Sequence, residues 1–152
     1  MRAIFKTAII AAAVSTTLTA AAQHKSKTKS GSKAAKSSAL ISAATLANGQ
    51  KVYGQSCITC HMVTGLGVPN MNPPLAGSPF VTGDKTKLIK IVLNGLSEDV
   101  EVNGQTYSNN MPSQDYLKDQ DIADVLTYVR NNFGNKATAV TASEVKALRG
   151  KK

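Results

Sequence analysis

Apolar positions along the chain fall into helical periods separated by polar and glycine-rich breaks. Residues 42–56 carry Leu46, Val52 and Tyr53 among good helix formers and predict a first helix that ends at Cys57. The pattern then breaks. Between 63 and 80, Gly65, Gly67, Pro69, Pro73, Pro74, Gly77 and Pro79 mark a long loop. Loops of that kind are uncommon unless they serve a site or wrap a ligand. Asp84 can cap a second helix that buries Leu88, Ile89, Ile91, Val92 and Leu93, with Gly95 as its stop. Val100 to Val102 and Gln105 to Tyr107 flank Asn103-Gly104, a pair suited to a tight primed turn, and predict a small hairpin. Ile122, Val125, Leu126 and Val129 repeat at i, i+3, i+4 and i+7 and place a third helix from Asp119 to Gly134. Asp119, Asp121 and Asp124 lie in its first turns, where the helix dipole favours acids. Thr141 and Glu144 have the spacing of a capping box for a short final helix through Leu148. The predicted class is all-α, with one long loop and one hairpin.

The ends differ in character. In residues 1–22, Arg2 and Lys6 precede the short apolar run Ala8 to Val14, and Ala20-Ala21-Ala22 forms a small-residue cleavage site, so the segment reads as a signal peptide. A retained membrane anchor is the alternative, although the run falls short of the roughly 20 apolar residues of a spanning helix. Residues 23–39 hold five lysines and no acid, have no apolar period, and read as a disordered basic linker. The folded domain is expected over 40–135, followed by a C-terminal extension, 136–152, bearing the short helix.

The net charge of +9 suggests a polyanion partner at first sight. Its distribution argues otherwise: residues 40–135 contain six bases and eight acids, and the positive excess sits in the ends. A basic patch interleaved with aromatics, as a nucleic-acid reader needs, is missing, so no nucleic-acid partner is expected. Weak contact with an anionic membrane surface is a secondary reading of the linker; a solvated tether is the first.

The chain has two cysteines, and they stand in Cys57-Ile58-Thr59-Cys60-His61, the attachment pattern of a c-type haem. Two thiols three positions apart can reach two neighbouring vinyl groups on one macrocycle edge, and the next residue swings its imidazole under the iron. Three other readings of the pair are weaker. A thioredoxin-like redox pair wants alternating strands and helices, which are absent. A structural zinc site wants four ligands, and only His24, in the linker, remains. A small disulfide across a turn is the third.

An iron held by His61 needs a sixth ligand or keeps an open position. His24 lies in the linker, and Met62 is adjacent to His61 and stays on the same side of the ring. Met111 lies fifty residues beyond His61, after the polar run Ser108-Asn109-Asn110 and before Pro112, far enough to pass to the other face. It is the leading candidate; Met71, in the loop, and an open site are the alternatives. Methionine commonly fills core gaps, but a polar loop weakens that explanation for Met111.

These motifs together resemble a class I c-type cytochrome of the small monohaem bacterial periplasmic group. The resemblance covers residues 43–134, with Arg149 as its outer limit. It is carried by Gly49, Tyr53, the Cys57–His61 motif, Pro73-Pro74-Leu75-Ala76-Gly77-Ser78, Leu93-Asn94-Gly95, Val102-Asn103-Gly104, Tyr107 to Pro112, and Ile122 to Arg130. Lys118, where a capping Ser is common, and Glu98-Asp99, in place of small residues, depart from the pattern.

The resemblance implies a cytochrome c fold of three to five helices wrapped around one covalent haem c. It implies thioethers at Cys57 and Cys60, His61 as proximal and Met111 as distal iron ligand, and the Pro73 carbonyl, or its neighbour Pro74, as acceptor of the His61 proton. It also implies contact between Gly49 and Tyr128 at a helix crossing. For Tyr107 it suggests a bond to a haem propionate, with plain cross-strand packing as the equal alternative. The implied function is single-electron transfer in the periplasm, by a monomer, between redox partners such as a dehydrogenase, a reductase or a terminal oxidase. A haem-based sensor or a cytochrome subunit of a dehydrogenase or reductase complex is the alternative. With His24 and His61 the only histidines, no catalytic triad can form, and no enzyme activity of its own is expected.

Overall fold

The Ser42 hydroxyl accepts a hydrogen bond from the Thr45 amide at 3.0 Å and starts α1, Ala43–Ser56, in the computed structural model, which describes residues 41–151. The segments read as signal peptide and basic linker lie outside the described residues. A single helical turn, α2 (Ile58–His61), follows directly, and a long loop runs to a second single turn, α3 (Pro79–Thr82). Then come α4 (Lys85–Asn94), β1 (Val100–Val102), β2 (Gln105–Tyr107), α5 (Asp119–Arg130) and α6 (Ala142–Leu148). The single turns α2 and α3 were not expected from periodicity, because four residues carry no period. Pro79 in the first turn of α3, with its preset φ, explains why the loop closes as a helix there.

The Asp84 carboxylate caps α4 by accepting from the Thr86 amide at 2.6 Å and the Lys87 amide at 3.2 Å. Gly95, at φ 78°, ends it. The hairpin pairs Val100 with Tyr107 and Val102 with Gln105. Its turn residues Asn103 and Gly104 both have positive φ, 53° and 80°, as a primed turn requires. No side chain caps α5, since Lys118 stands at the N-cap. Leu117 packs instead on the cluster that contains Ile122.

The third helix was expected to continue to Gly134 and stops at Arg130. Asn131 turns its side-chain amide back to the Thr127 carbonyl at 3.0 Å, and the Asn132 side chain accepts from the Phe133 amide at 2.7 Å. Both asparagines thus satisfy backbone locally instead of continuing the helix. Phe133 takes φ 54° and lays its ring among Tyr53 and Tyr128, with centroids 5.3 and 5.9 Å away.

The first and fifth helices cross at Gly49. A Cβ there would lie 2.3 Å from the Asp124 carbonyl oxygen and 2.6 Å from Tyr128 Cβ, so only glycine lets the backbones approach this closely. Asn48 strengthens the crossing by donating to the buried Asp124 carboxylate at 2.8 Å. One apolar cluster joins Val52 and Tyr53 of α1 to Val125 and Val129 of α5. The other joins Ile89 and Leu93 of α4, Ile122 and Leu126 of α5, and Val140 and Val145 from the segment after residue 135. Thr127 ties that last segment down: its hydroxyl donates to the Val140 carbonyl and accepts from the Val140 amide. Arg130 is buried and spends its guanidinium on the Val81, Gly83 and Thr138 carbonyls, bracing α3 against α5.

The capping box of α6 forms: the Thr141 hydroxyl accepts from the Glu144 amide, and the Glu144 carboxylate accepts from the Thr141 amide at 2.8 Å. Lys85 pairs with the same carboxylate. Partial burial pushes the Glu144 pKa up, but the bonds from Lys85 and Thr141 outweigh it and hold the group below its ordinary 4.5. A carboxyl depressed in the folded state stabilises fully above its unfolded pKa, and that stabilisation is lost as pH falls through the folded value. Glu144→Gln is therefore expected to cost about 0.5–1 kcal/mol near neutral pH, a figure already reduced for the solvent screening of a half-exposed pair. The variant and wild-type urea stabilities should converge below pH 4.5. A difference that persists unchanged down to pH 3, about a unit below the ordinary Glu value, would show that the ion pair is not its source.

Candidate functional site

Cys57 stands between α1 and α2. Its amide donates to Tyr53 O at 3.0 Å, and its carbonyl accepts from the His61 amide at 3.0 Å. This continuous helical turn puts residues i, i+3 and i+4, which are Cys57, Cys60 and His61, on one face. Met62 then turns to φ 64° and leaves the helix, its carbonyl held by the Tyr53 hydroxyl at 2.6 Å. The two cysteines are unpaired thiols, Cys57 half-buried and Cys60 exposed. Burial, with Cys60 as the lesser cause, pushes the Cys57 pKa up to about 11. A redox-active pair of the thioredoxin kind would instead show a depressed one.

The His61 Nδ1–H donates to the Pro73 carbonyl at 3.0 Å, so Pro73 rather than Pro74 is the acceptor. That bond assigns the proton to Nδ1 and leaves Nε2 with a free lone pair. Burial drives the His61 pKa down and the Pro73 bond only partly offsets it, so the ring is neutral and able to ligate. The approach of the loop depends on Gly67, at φ 65°. A Cβ there would lie 2.2 Å from the Asn72 carbonyl oxygen and 2.7 Å from that of Pro73.

Met111 is not at the end of a free polar loop. Its amide donates to Leu96 O at 2.8 Å and its carbonyl accepts from the Leu96 amide at 2.9 Å, an isolated antiparallel bridge. Gly95 makes the bridge sterically feasible, because a Cβ there would be 2.6 Å from the Met111 carbonyl oxygen. Beyond Met111, Ser113 donates to Leu93 O at 2.8 Å and the Gln114 amide to Val92 O at 2.8 Å, docking the segment on the end of α4.

Cys57, Cys60, His61, Pro73 and Met111 all line one cleft, walled by apolar side chains such as Phe80, Val92, Leu96, Val102, Leu126 and Val129. The cleft is open to solvent at its mouth, and all the empty space out to that mouth amounts to about 1220 Å³. Met62 and Met71 are 43% and 49% exposed and do not line it. Tyr107 does not reach it either: the ring is buried in the hairpin and its hydroxyl donates to Gln105 at 3.0 Å. The structure thus brings Cys57, Cys60, His61, Pro73 and Met111 together and leaves Tyr107 out. The close approaches at Gly67 and Gly95 were missed by sequence reasoning. Both glycines were visible there only as loop and stop signals.

A helical turn that offers two thiols and a neutral imidazole to an apolar cleft defines a protein built to hold a covalent haem. The cytochrome c family model matches residues 46–133, and the chain belongs to that family. Its members carry a covalently bound haem c and transfer electrons. The chain is 39% identical over 115 residues to cytochrome c-552 of Thermus thermophilus, covering 70% of this chain and 87% of that protein. It is 40% identical over 104 residues to the cytochrome c subunit of an alcohol dehydrogenase (quinone) of Gluconobacter oxydans, covering 66% of this chain and 22% of that protein. It is 39% identical over 105 residues to the cytochrome c subunit of a gluconate 2-dehydrogenase of Pantoea cypripedii, covering 66% of this chain and 24% of that protein.

Proposed function

We propose that the protein is a periplasmic one-electron shuttle whose iron is held by His61 and Met111, with Cys57 and Cys60 as the thioether anchors. The observation that carries the ligand set is the shared cleft. His61 and Met111 both line it, and Met62 and Met71 do not. Bound there, the haem supplies an iron that cycles between ferric and ferrous states. The chain's own residues do the rest. Pro73 holds the His61 proton and orients the ring, an effect that tunes the metal. The neutral thioether of Met111 would ligate the iron and raise its potential, which favours electron transfer over ligand chemistry. The apolar walls would keep water from the iron.

Export rests on the signal-like residues 1–22. No helix among the described residues is long and apolar enough to cross a membrane. The expected partners are redox proteins, and the chain acts as a monomer without a reaction of its own. The similarity to two dehydrogenase cytochrome subunits favours one second reading, a subunit bound to such an enzyme. Exposure of the ferrous holoprotein to carbon monoxide tests the shuttle. The spectrum should stay unchanged over minutes, because Met111 occupies the site. Rapid carbon monoxide binding would put a haem-based sensor ahead. Haem that elutes from a native extract well above the size of a 15.9 kDa chain would favour the subunit reading.

A further inference from the structure

The segment before Met111 is tied across the cleft to the loop that holds His61. The Asn109 side-chain amide donates to Asn72 Oδ1 at 3.1 Å, and the Asn109 backbone amide donates to Met71 O at 3.1 Å. One strand further back, Gln105 Nε2 donates to Asn70 Oδ1 at 2.9 Å. Asn72 and Asn109 both line the cleft, and Asn109 is exposed, so the pair lies where the cleft meets solvent. We propose that Asn109 is a positioning residue. Its amide clasp to Asn72 holds the Met111 segment closed over the cleft and so keeps external ligands from the iron.

The placement gives the clasp its leverage. Asn72 directly precedes Pro73, the acceptor of the His61 proton, and Asn109 stands two residues before Met111. Asn72 is itself held by its antiparallel bridge to Val68, with the Val68 amide on its carbonyl at 2.9 Å. It is therefore a fixed post. On its other side the Met111 segment is pinned by the two backbone bonds to Leu96. Lifting Met111 about the Leu96 bridge, which joins backbone to backbone at Met111 itself, requires Asn109 to leave both Asn72 and the Met71 carbonyl.

The inference rests on Met111 as the sixth ligand. An incoming ligand binds only the fraction of molecules in which Met111 has lifted, so its apparent affinity scales with that fraction. Loss of one neutral side-chain hydrogen bond at a solvent-exposed edge should raise the open fraction roughly threefold to tenfold. The potential should not change, because the closed form keeps the same ligands.

Imidazole titration of the ferric holoprotein tests this, read by loss of the long-wavelength Met–iron band. Asn109→Ala should keep the band and bind imidazole about threefold to tenfold more tightly than wild type. Asn72→Ala should do the same, and the double variant should gain no more than either single one, because both remove one shared bond. Thr106→Ala, an exposed hairpin position, should match wild type. A purely structural role would lower the denaturation midpoint and leave imidazole affinity alone; that outcome overturns the clasp. Fully additive single effects overturn the pairing. A wild type without the Met–iron band overturns the ligation and the clasp together. A band with unchanged imidazole affinity in Asn109→Ala leaves the ligation standing and overturns the clasp alone.

Discussion

Cys57→Ser together with Cys60→Ser is expected to yield a chain that loses all its haem on a denaturing gel, where the wild type keeps peroxidase-active haem. Serine is nearly isosteric with cysteine, so α1 and α2 should survive locally; only the sulfurs proposed to bond the macrocycle are gone. His61 still lines the cleft, so haem should bind the double variant non-covalently under native conditions. The denaturing gel separates covalent from merely ligated haem for this reason. Each single variant should keep haem through the remaining thioether at reduced yield.

The apo chain should also lose most of its structure. Leu75, Phe80, Ile91, Leu96 and Val100 line the cleft proposed for the haem and are only half-buried by the polypeptide. Leaving a large apolar side chain in water forgoes about 1.5–3 kcal/mol, and a folded domain has only ~5–15 kcal/mol in total. Circular dichroism of haem-free protein should therefore show helix content far below that of the holoprotein. A wild type that runs free of haem after maturation in a competent host would sink the attachment claim. An apo chain with full helix content would show that the polypeptide core suffices alone.

Met111→Ala is expected to lower the reduction potential by about 100 mV or more, nearly two decades of ferrous preference at ~59 mV per decade. The sign follows from chemistry: a soft, neutral thioether favours the ferrous ion over the ferric one. The same variant should lose the Met–iron band and bind added imidazole or cyanide. Met111 also packs against the α4–α5 core, so alanine leaves a cavity as well as an open coordination position. Met111→Leu separates the two effects. It keeps the bulk at a packing cost under about 1.5 kcal/mol, yet has no sulfur and should show the same fall in potential. Met62→Ala and Met71→Ala remove exposed side chains outside the cleft and should leave potential and band unaltered. An intact band in Met111→Ala, or its loss in Met71→Ala, would reassign the ligand.

The amino-acid sequence by itself determined whatever closes within a few residues. Cys57, Cys60 and His61 share a face because one helical turn brings i, i+3 and i+4 together. The caps at Asp84 and Thr141 and the Asn103-Gly104 turn needed only their own neighbours. Tertiary structure decided what depends on distant segments meeting. The carbonyl of Pro73 rather than Pro74 reaches His61 because Gly67 lets the loop fold close. Tyr107 stands opposite Val100 across the hairpin, and its hydroxyl donates to Gln105. Met111, which looked like the end of a free polar run, is bridged to Leu96 through the space Gly95 leaves. The segment after residue 135 supplies Val140 and Val145 to the core of α4 and α5. Local hydrogen bonds carry their own residue preferences. A contact between segments dozens of residues apart is selected by packing shape, and packing shape leaves no short pattern along the chain.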